Sequence, residues 1–178
     1  MLTATYSIVA LKLEQRRARW NVSALQQYIL SSIKNLKTAS GLDLELMLNR
    51  LSQFEQYCHQ RKMEVFVIPA LRKITHEADS LLDELESLSS LSLSMLRSLR
   101  EKLQEALRQG ALKIEEVCTS LEQCCSNLYK RLSKEDELVQ MAERVIPSDE
   151  WFGIAASFMS HDEKSGRIIA SSAQYEEE

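Results

Sequence analysis

TYSIVALKLEQRRARWNVSALQQYILSSIKNLK, residues 5–37, decides the fold. Its apolar positions Ile8, Leu11, Ala18, Val22, Leu25, Ile29, Ile33 and Leu36 recur mostly at steps of three and four residues. That is the period of a helix with one buried stripe. "TASG" at 38–41 ends this helix, and the same period then resumes. A second helix begins near Leu42 and carries Leu44, Met47, Leu48, Leu51, Phe54, Cys58 and Val65. It has to yield by Pro69, and "VFVI" before the proline also suits a less regular final turn. A third helix follows in "ALRKITHEADSLLDELESL", with Leu71, Ile74, Ala78, Leu81, Leu82 and Leu85 on one side.

The Ser-rich run "SLSSLSLS" at 87–94 has low helix preference. It sets off an extra helical segment at 93–109, marked by Leu96, Leu99, Leu103 and Leu107, either separate from the third helix or continuous with it. Gly110 fits a helix end. The last long helix spans 111–145, with Leu112, Ile114, Val117, Leu121, Cys124, Cys125, Leu128, Leu132 and Leu138 inward. Pro147 breaks it. Ser148 then reads as an N-cap, with Asp149 and Glu150 in the favourable first turn of a short helix ending near Met159. The pattern predicts an all-α protein: an up-down-up-down antiparallel four-helix bundle over 1–160, with the extra segment, the short C-terminal helix and a loose acidic tail at 161–178.

Composition agrees, because four Gly and two Pro in 178 residues are too few for a strand-rich fold. This length suits one domain. A net charge of −4 and a pI near 5.5 give no reason to expect nucleic acid as a partner. The basic cluster "EQRRAR" at 14–19 reads as a solvated helix face. No apolar run is long enough to cross a membrane, and the opening "MLTATYSIVALKLEQ" lacks the charged start and cleavage site of a signal peptide, so the expected compartment is the cytoplasm. Cys58, Cys118, Cys124 and Cys125 form no CxxC pair and read as free thiols. There is no Gly-rich phosphate loop, and no Ser, Cys or Lys nucleophile comes with an ordered His and acid. The sequence therefore argues against an enzyme.

Two stretches carry a family resemblance. "HQRKMEVFVIPAL" (59–71) and "RLSKEDELVQMAERVIPSDEW" (131–151) resemble the second- and fourth-helix signatures of hemerythrin-like (HHE cation-binding) domains. "LKLEQRR" (11–17) and "ITHEADSLLDEL" (74–85) are similar to that family's "EH" segments on the first and third helices. The resemblance implies a bundle whose helices hold two irons, for binding, storing or sensing oxygen, nitric oxide or iron. Carried over by position, it makes His59, His76 and Glu135 residual metal ligands and puts Gln15, Met63 and Arg131 where ligands are expected. A shift of one residue on the second helix would give Gln60 and Glu64 instead. Gln is a feeble iron donor, Met a soft one, and Arg cannot deprotonate to bind a cation. The resemblance thus implies a degenerate site with no cofactor, in a non-enzymatic sensory, ligand-binding or partner-binding protein whose protein partner is unknown. The competing reading is a functional iron protein with one or two irons.

Without the family, the same residues read more plainly. His59 has no carboxylate one turn away and is a partly buried histidine near a helix surface; His76 has neighbouring acids as partners; His161 is solvated. Glu135, in the charge run "KEDE", would face water, and only the family pattern turns it inward. Met63 and Phe66 read as core, and Trp20 and Trp151 as packing anchors. If Glu135 is interior, a buried acid left without metal needs a positive partner, and Arg131, one turn earlier, is placed to supply it.

Overall fold

The computed structural model describes residues 2–35, 41–109 and 112–173, and all regular structure among them is helical. In chain order these are α1 (Leu2–Asn35), α2 (Gly41–His59), a widened π-helical turn (Met63–Val67), α3 (Ile68–Ile74), α4 (Asp79–Gln109), α5 (Ile114–Val145) and α6 (Ser148–Ala173). At 1.5 Å per residue, α1 spans about 50 Å. The links expected at 38–41 and Gly110 lie outside the described residues, except for Gly41, which opens α2.

The apolar stripes meet in two clusters. The first joins the C-terminal half of α1 (Ala18 to Ile33), α2 (Leu44 to Phe54), the second half of α4 (Leu96 to Ala106) and the N-terminal half of α5 (Val117 to Leu132). The second joins the start of α1 (Ile8, Leu11), the π turn and α3 (Met63, Val67, Leu71), the start of α4 (Leu82, Leu85), the end of α5 (Leu138, Val139, Ala142) and α6 (Trp151, Ile154, Phe158). Each of α1, α4 and α5 passes from one cluster to the other. α1 packs on α5 and α2, α2 on α4, and α4 on α5; α6 lies against α1 and the π turn.

Two expectations need correction, and one open alternative is decided. The third helix does not run unbroken from Pro69. Proline is tolerated in the first turn of α3 because it has no N–H to leave unpaired there. The break comes instead after Ile74, where Thr75 is extended (φ −149°, ψ 147°). The Thr75 hydroxyl accepts the Glu77 N–H at 3.1 Å, a local bond that competes with the helix. At the Ser-rich run the continuous alternative holds: α4 passes through it without a break. Ser92 is buried and donates to the Leu88 carbonyl at 2.8 Å, and Asn127 of α5 donates to that carbonyl at 3.0 Å and to Ser92 Oγ at 2.7 Å. Tertiary partners thus satisfy a hydroxyl that would otherwise compete with the helix. Finally, α6 continues past Met159 to Ala173, through much of the segment read as a tail.

The inward positions of α1 from Ile8 to Ile33 are buried as read, while Leu36 lies outside the described residues. Val65 and Ile114 are exposed, Val65 in the π turn and Ile114 at the first residue of α5. Trp151 anchors the second cluster, whereas Trp20 is exposed and anchors nothing. No helix among the described residues is long and apolar enough to cross a membrane.

Candidate functional site

Between the two apolar clusters lies a layer of buried charge centred on Glu135, whose side chain is fully enclosed. α5 presents it inward between Leu132 and Leu138, on the stripe that carries the core. Arg61 reaches it from the break between α2 and the π turn and forms a two-pronged pair: Nη1 donates to Oε1 at 2.9 Å and Nη2 to Oε2 at 2.5 Å. Gln15 of α1 donates its amide to Oε2 at 2.7 Å. Arg131, one turn earlier on α5, places Nη2 3.3 Å from Oε1 and also pairs with Glu64 of the π turn. Glu14 sits 3.5 Å from Arg61 Nε and accepts the Lys62 backbone N–H at 2.8 Å.

Burial on its own would raise the pKa of Glu135, but Arg61, Arg131 and the hydrogen bonds from Arg61 and Gln15 outweigh it and hold the carboxyl below its ordinary value. Glu14 goes the other way. Burial dominates there and pushes it up despite Arg61 and the Lys62 N–H. Arg131 is lowered, first by burial and then by Arg61 beside it, with Glu135 opposing. Cys58, near both guanidiniums, is nevertheless pushed up to about 11 by burial. It is therefore a thiol at neutral pH, not a nucleophile. A carboxylate saturated by two cations and an amide is no general base either.

The structure separates the sequence-derived candidates into two groups. Gln15, Arg131 and Glu135 converge in the layer, and Arg131 stands beside Glu135 as charge balance required. Glu64, from the shifted register, joins them through Arg131. Met63 is buried in the second apolar cluster. His59 is exposed, and His76 lies on the surface at 96% side-chain exposure, its Nδ1 2.9 Å from Asp79 Oδ2. Among the described residues no group of three or more His, Cys, Asp and Glu side chains gathers to hold a metal. The residues present do not fit a di-iron centre. The one interior acid central to the layer is taken by guanidiniums, and a cation about 4 Å from a guanidinium would be opposed by roughly 4 kcal/mol per unit charge at an effective dielectric near 20.

Arg61 is the residue that sequence reasoning missed. The signal was present: it stands three residues after Cys58 and seven after Phe54, in phase with the inward stripe of α2 though just past that helix's end, where a charged residue demands a buried partner.

A second feature is on the surface. A groove of about 280 Å³ between α1 and α2 is lined by Trp20, Tyr28, Arg50, Phe54 and Tyr57, among others. The Arg50 guanidinium stacks over the Tyr28 ring at 5.5 Å, and the buried Tyr57 hydroxyl has no partner among the described residues. Searches find no matching family model, no similar curated protein and no similar solved structure.

Proposed function

We propose that this chain is a hemerythrin-like, up-down-up-down four-helix bundle in which an internal ion-pair layer stands in place of a metal site, and that it works as a non-enzymatic ligand- or partner-binding protein. The single observation that carries the reading is Glu135, enclosed and saturated by Arg61, Arg131 and Gln15. Three of the positions equivalent to family ligands, Gln15, Arg131 and Glu135, meet at one level of the protein, which supports the register of the resemblance. The bundle topology is supported by the order in which the helices cross the two clusters, α1 and α4 in one sense and α5 in the other, and by the ring of contacts α1–α2–α4–α5. The partner-binding role is supported by the aromatic groove and by Trp20, a large apolar side chain left in water. Four free thiols suit a reducing compartment such as the cytoplasm.

The test is iron content after anaerobic purification from iron-replete cells, with visible absorption recorded before and after oxygen. Trace iron and no oxygen-dependent band are the expected results. About two irons per chain, the complement of a di-iron bundle, would overturn the reading.

A further inference from the structure

We propose that the outer face of α1 is a docking site for an acidic amphipathic helix of another protein. This rests on the partner-binding reading above and names the partner's chemistry. Tyr6, Val9, Leu13 and Trp20 are 42%, 50%, 58% and 70% exposed. At 100° per residue they fall within about 60° of one another, on the side of α1 opposite the buried Ile8, Leu11, Ala18 and Val22. The helix therefore carries two apolar stripes, one in the core and one in water. Steps of three, four and seven residues form the seam that a second helix fills.

Charge chooses the occupant. Lys12, Arg16 and Arg17 flank the stripe, all exposed and none paired with a carboxylate among the described residues. The only acid in α1, Glu14, is turned inward to Arg61 and the Lys62 backbone. In a chain of net charge −4, this face is basic and apolar together. A second copy docking through the same face would bring like charges together and is disfavoured. An anionic lipid surface would match the charge, but the stripe ends at Trp20 beside a groove of about 280 Å³, with Arg50 on its wall. A concave site of that kind receives an inserted side chain, as helix-in-groove recognition does.

The test uses the full-length protein and a fluorescein-labelled synthetic peptide of about 20 residues, long enough for helix formation, with Leu at i, i+3, i+4 and i+7 spacing and Glu on the flanks. A twin peptide carries Lys in place of Glu. Anisotropy should show saturable binding of the Glu peptide that weakens as salt is raised, and little binding of the Lys twin. Leu13→Asp and Trp20→Ala should each weaken binding by about tenfold or more, as loss of a central anchor does. Arg16→Glu with Arg17→Glu should reverse the preference between the two peptides, with the helical circular dichroism unchanged. No saturable binding, or equal binding of the twins, overturns the proposal. So does attachment to phosphatidylserine vesicles, or dimerisation in sedimentation, that Leu13→Asp abolishes. The iron measurement is independent: a peptide that fails to bind leaves the ion-pair layer in place of metal standing, and an iron-loaded protein would sink that layer's reading whatever the peptide does.

Discussion

Replacing Arg61 with methionine keeps much of the side chain's bulk and removes its charge, leaving Glu135 enclosed with only Gln15 and the more distant Arg131. Two bonds of 2.9 and 2.5 Å are lost, together with the charge 3.5 Å from Glu14. Breaking a buried pair from one side costs roughly 3–5 kcal/mol, because the surviving charge stays out of water. Arg131→Met should cost less, about 1–3 kcal/mol, since Glu135 keeps its two-pronged partner and the freed Glu64 is partly exposed. Adding Glu135→Leu to Arg61→Met should recover most of the loss, because a pair replaced by apolar groups is often neutral or stabilising. Urea unfolding followed by helical circular dichroism measures all of these. With a slope of about 1–3 kcal/mol per molar, the Arg61→Met midpoint should fall by more than about 1 M. The pH dependence has a defined sign. The folded pKa of Glu135 is depressed, so its contribution is fully present above 4.5 and is lost as pH falls through the folded value. Without Arg61 that depression is relieved, and the gap between variant and parent should narrow as pH drops. A loss within about 1 kcal/mol for Arg61→Met, the range of an exposed ion pair, would refute the buried layer.

Glu14 titrates in the opposite sense. Its folded pKa is raised, so holding it ionised opposes folding at neutral pH; Glu14→Gln should stabilise at pH 7, and denaturant midpoints at pH 7 and pH 4 should show that advantage fading in acid. Thiol titration of denatured, unreduced protein should count all four cysteines, and in the native protein Cys58 and Cys125, pushed up to about 11, and Cys124, pushed up to about 12, should react slowly at pH 8. Asn127→Ala removes the donor that ties α5 to Ser92 and to the Leu88 carbonyl, and should cost about 1–3 kcal/mol in the same urea assay.

Helix content and the core were legible because they depend on period. Each stripe repeats at three and four residues over several turns, and one stray residue does not erase it. The breaks were less legible because they depend on particular bonds. Thr75 ends α3 through its own hydroxyl, and the Ser-rich run stays helical because Asn127, distant in sequence, joins Ser92 at the Leu88 carbonyl. The centre of the site lay in between. Glu135 looked like part of a wet charge run to any local reading, yet it is in phase with Leu128, Leu132 and Leu138. Gln15 is likewise in phase with Leu11 and Ala18, and Arg61 with Phe54 and Cys58. Three polar residues on three core stripes are the readable sign of a buried polar layer. Trp20 is out of phase with the buried stripe of α1, but whether a tryptophan on that side of a helix is covered depends on which helices pack there.

The layer also determines what the two apolar clusters alone would leave open. Leu, Met, Val and Ile stripes on long helices tolerate sliding by one turn, since apolar contacts have no direction. A slide of one turn between α1 and α5 would set Gln15 against Leu132 or Leu138 rather than Glu135, and one between α2 and α5 would bury Arg61 among aliphatic groups. Each slip strands a charge or an amide in the interior, at a cost of several kcal/mol. The four interlocking partners Gln15, Arg61, Arg131 and Glu135 therefore select one register of α1, α2 and α5. If that is their purpose, the double variant Arg61→Met with Glu135→Leu should regain most of the parent's stability but be less uniquely folded. Broadened or doubled amide resonances for residues near Gln15 and Arg131 in a nitrogen–proton correlation spectrum are the expected sign. A single sharp set matching the parent would show that helix lengths and links alone specify the register.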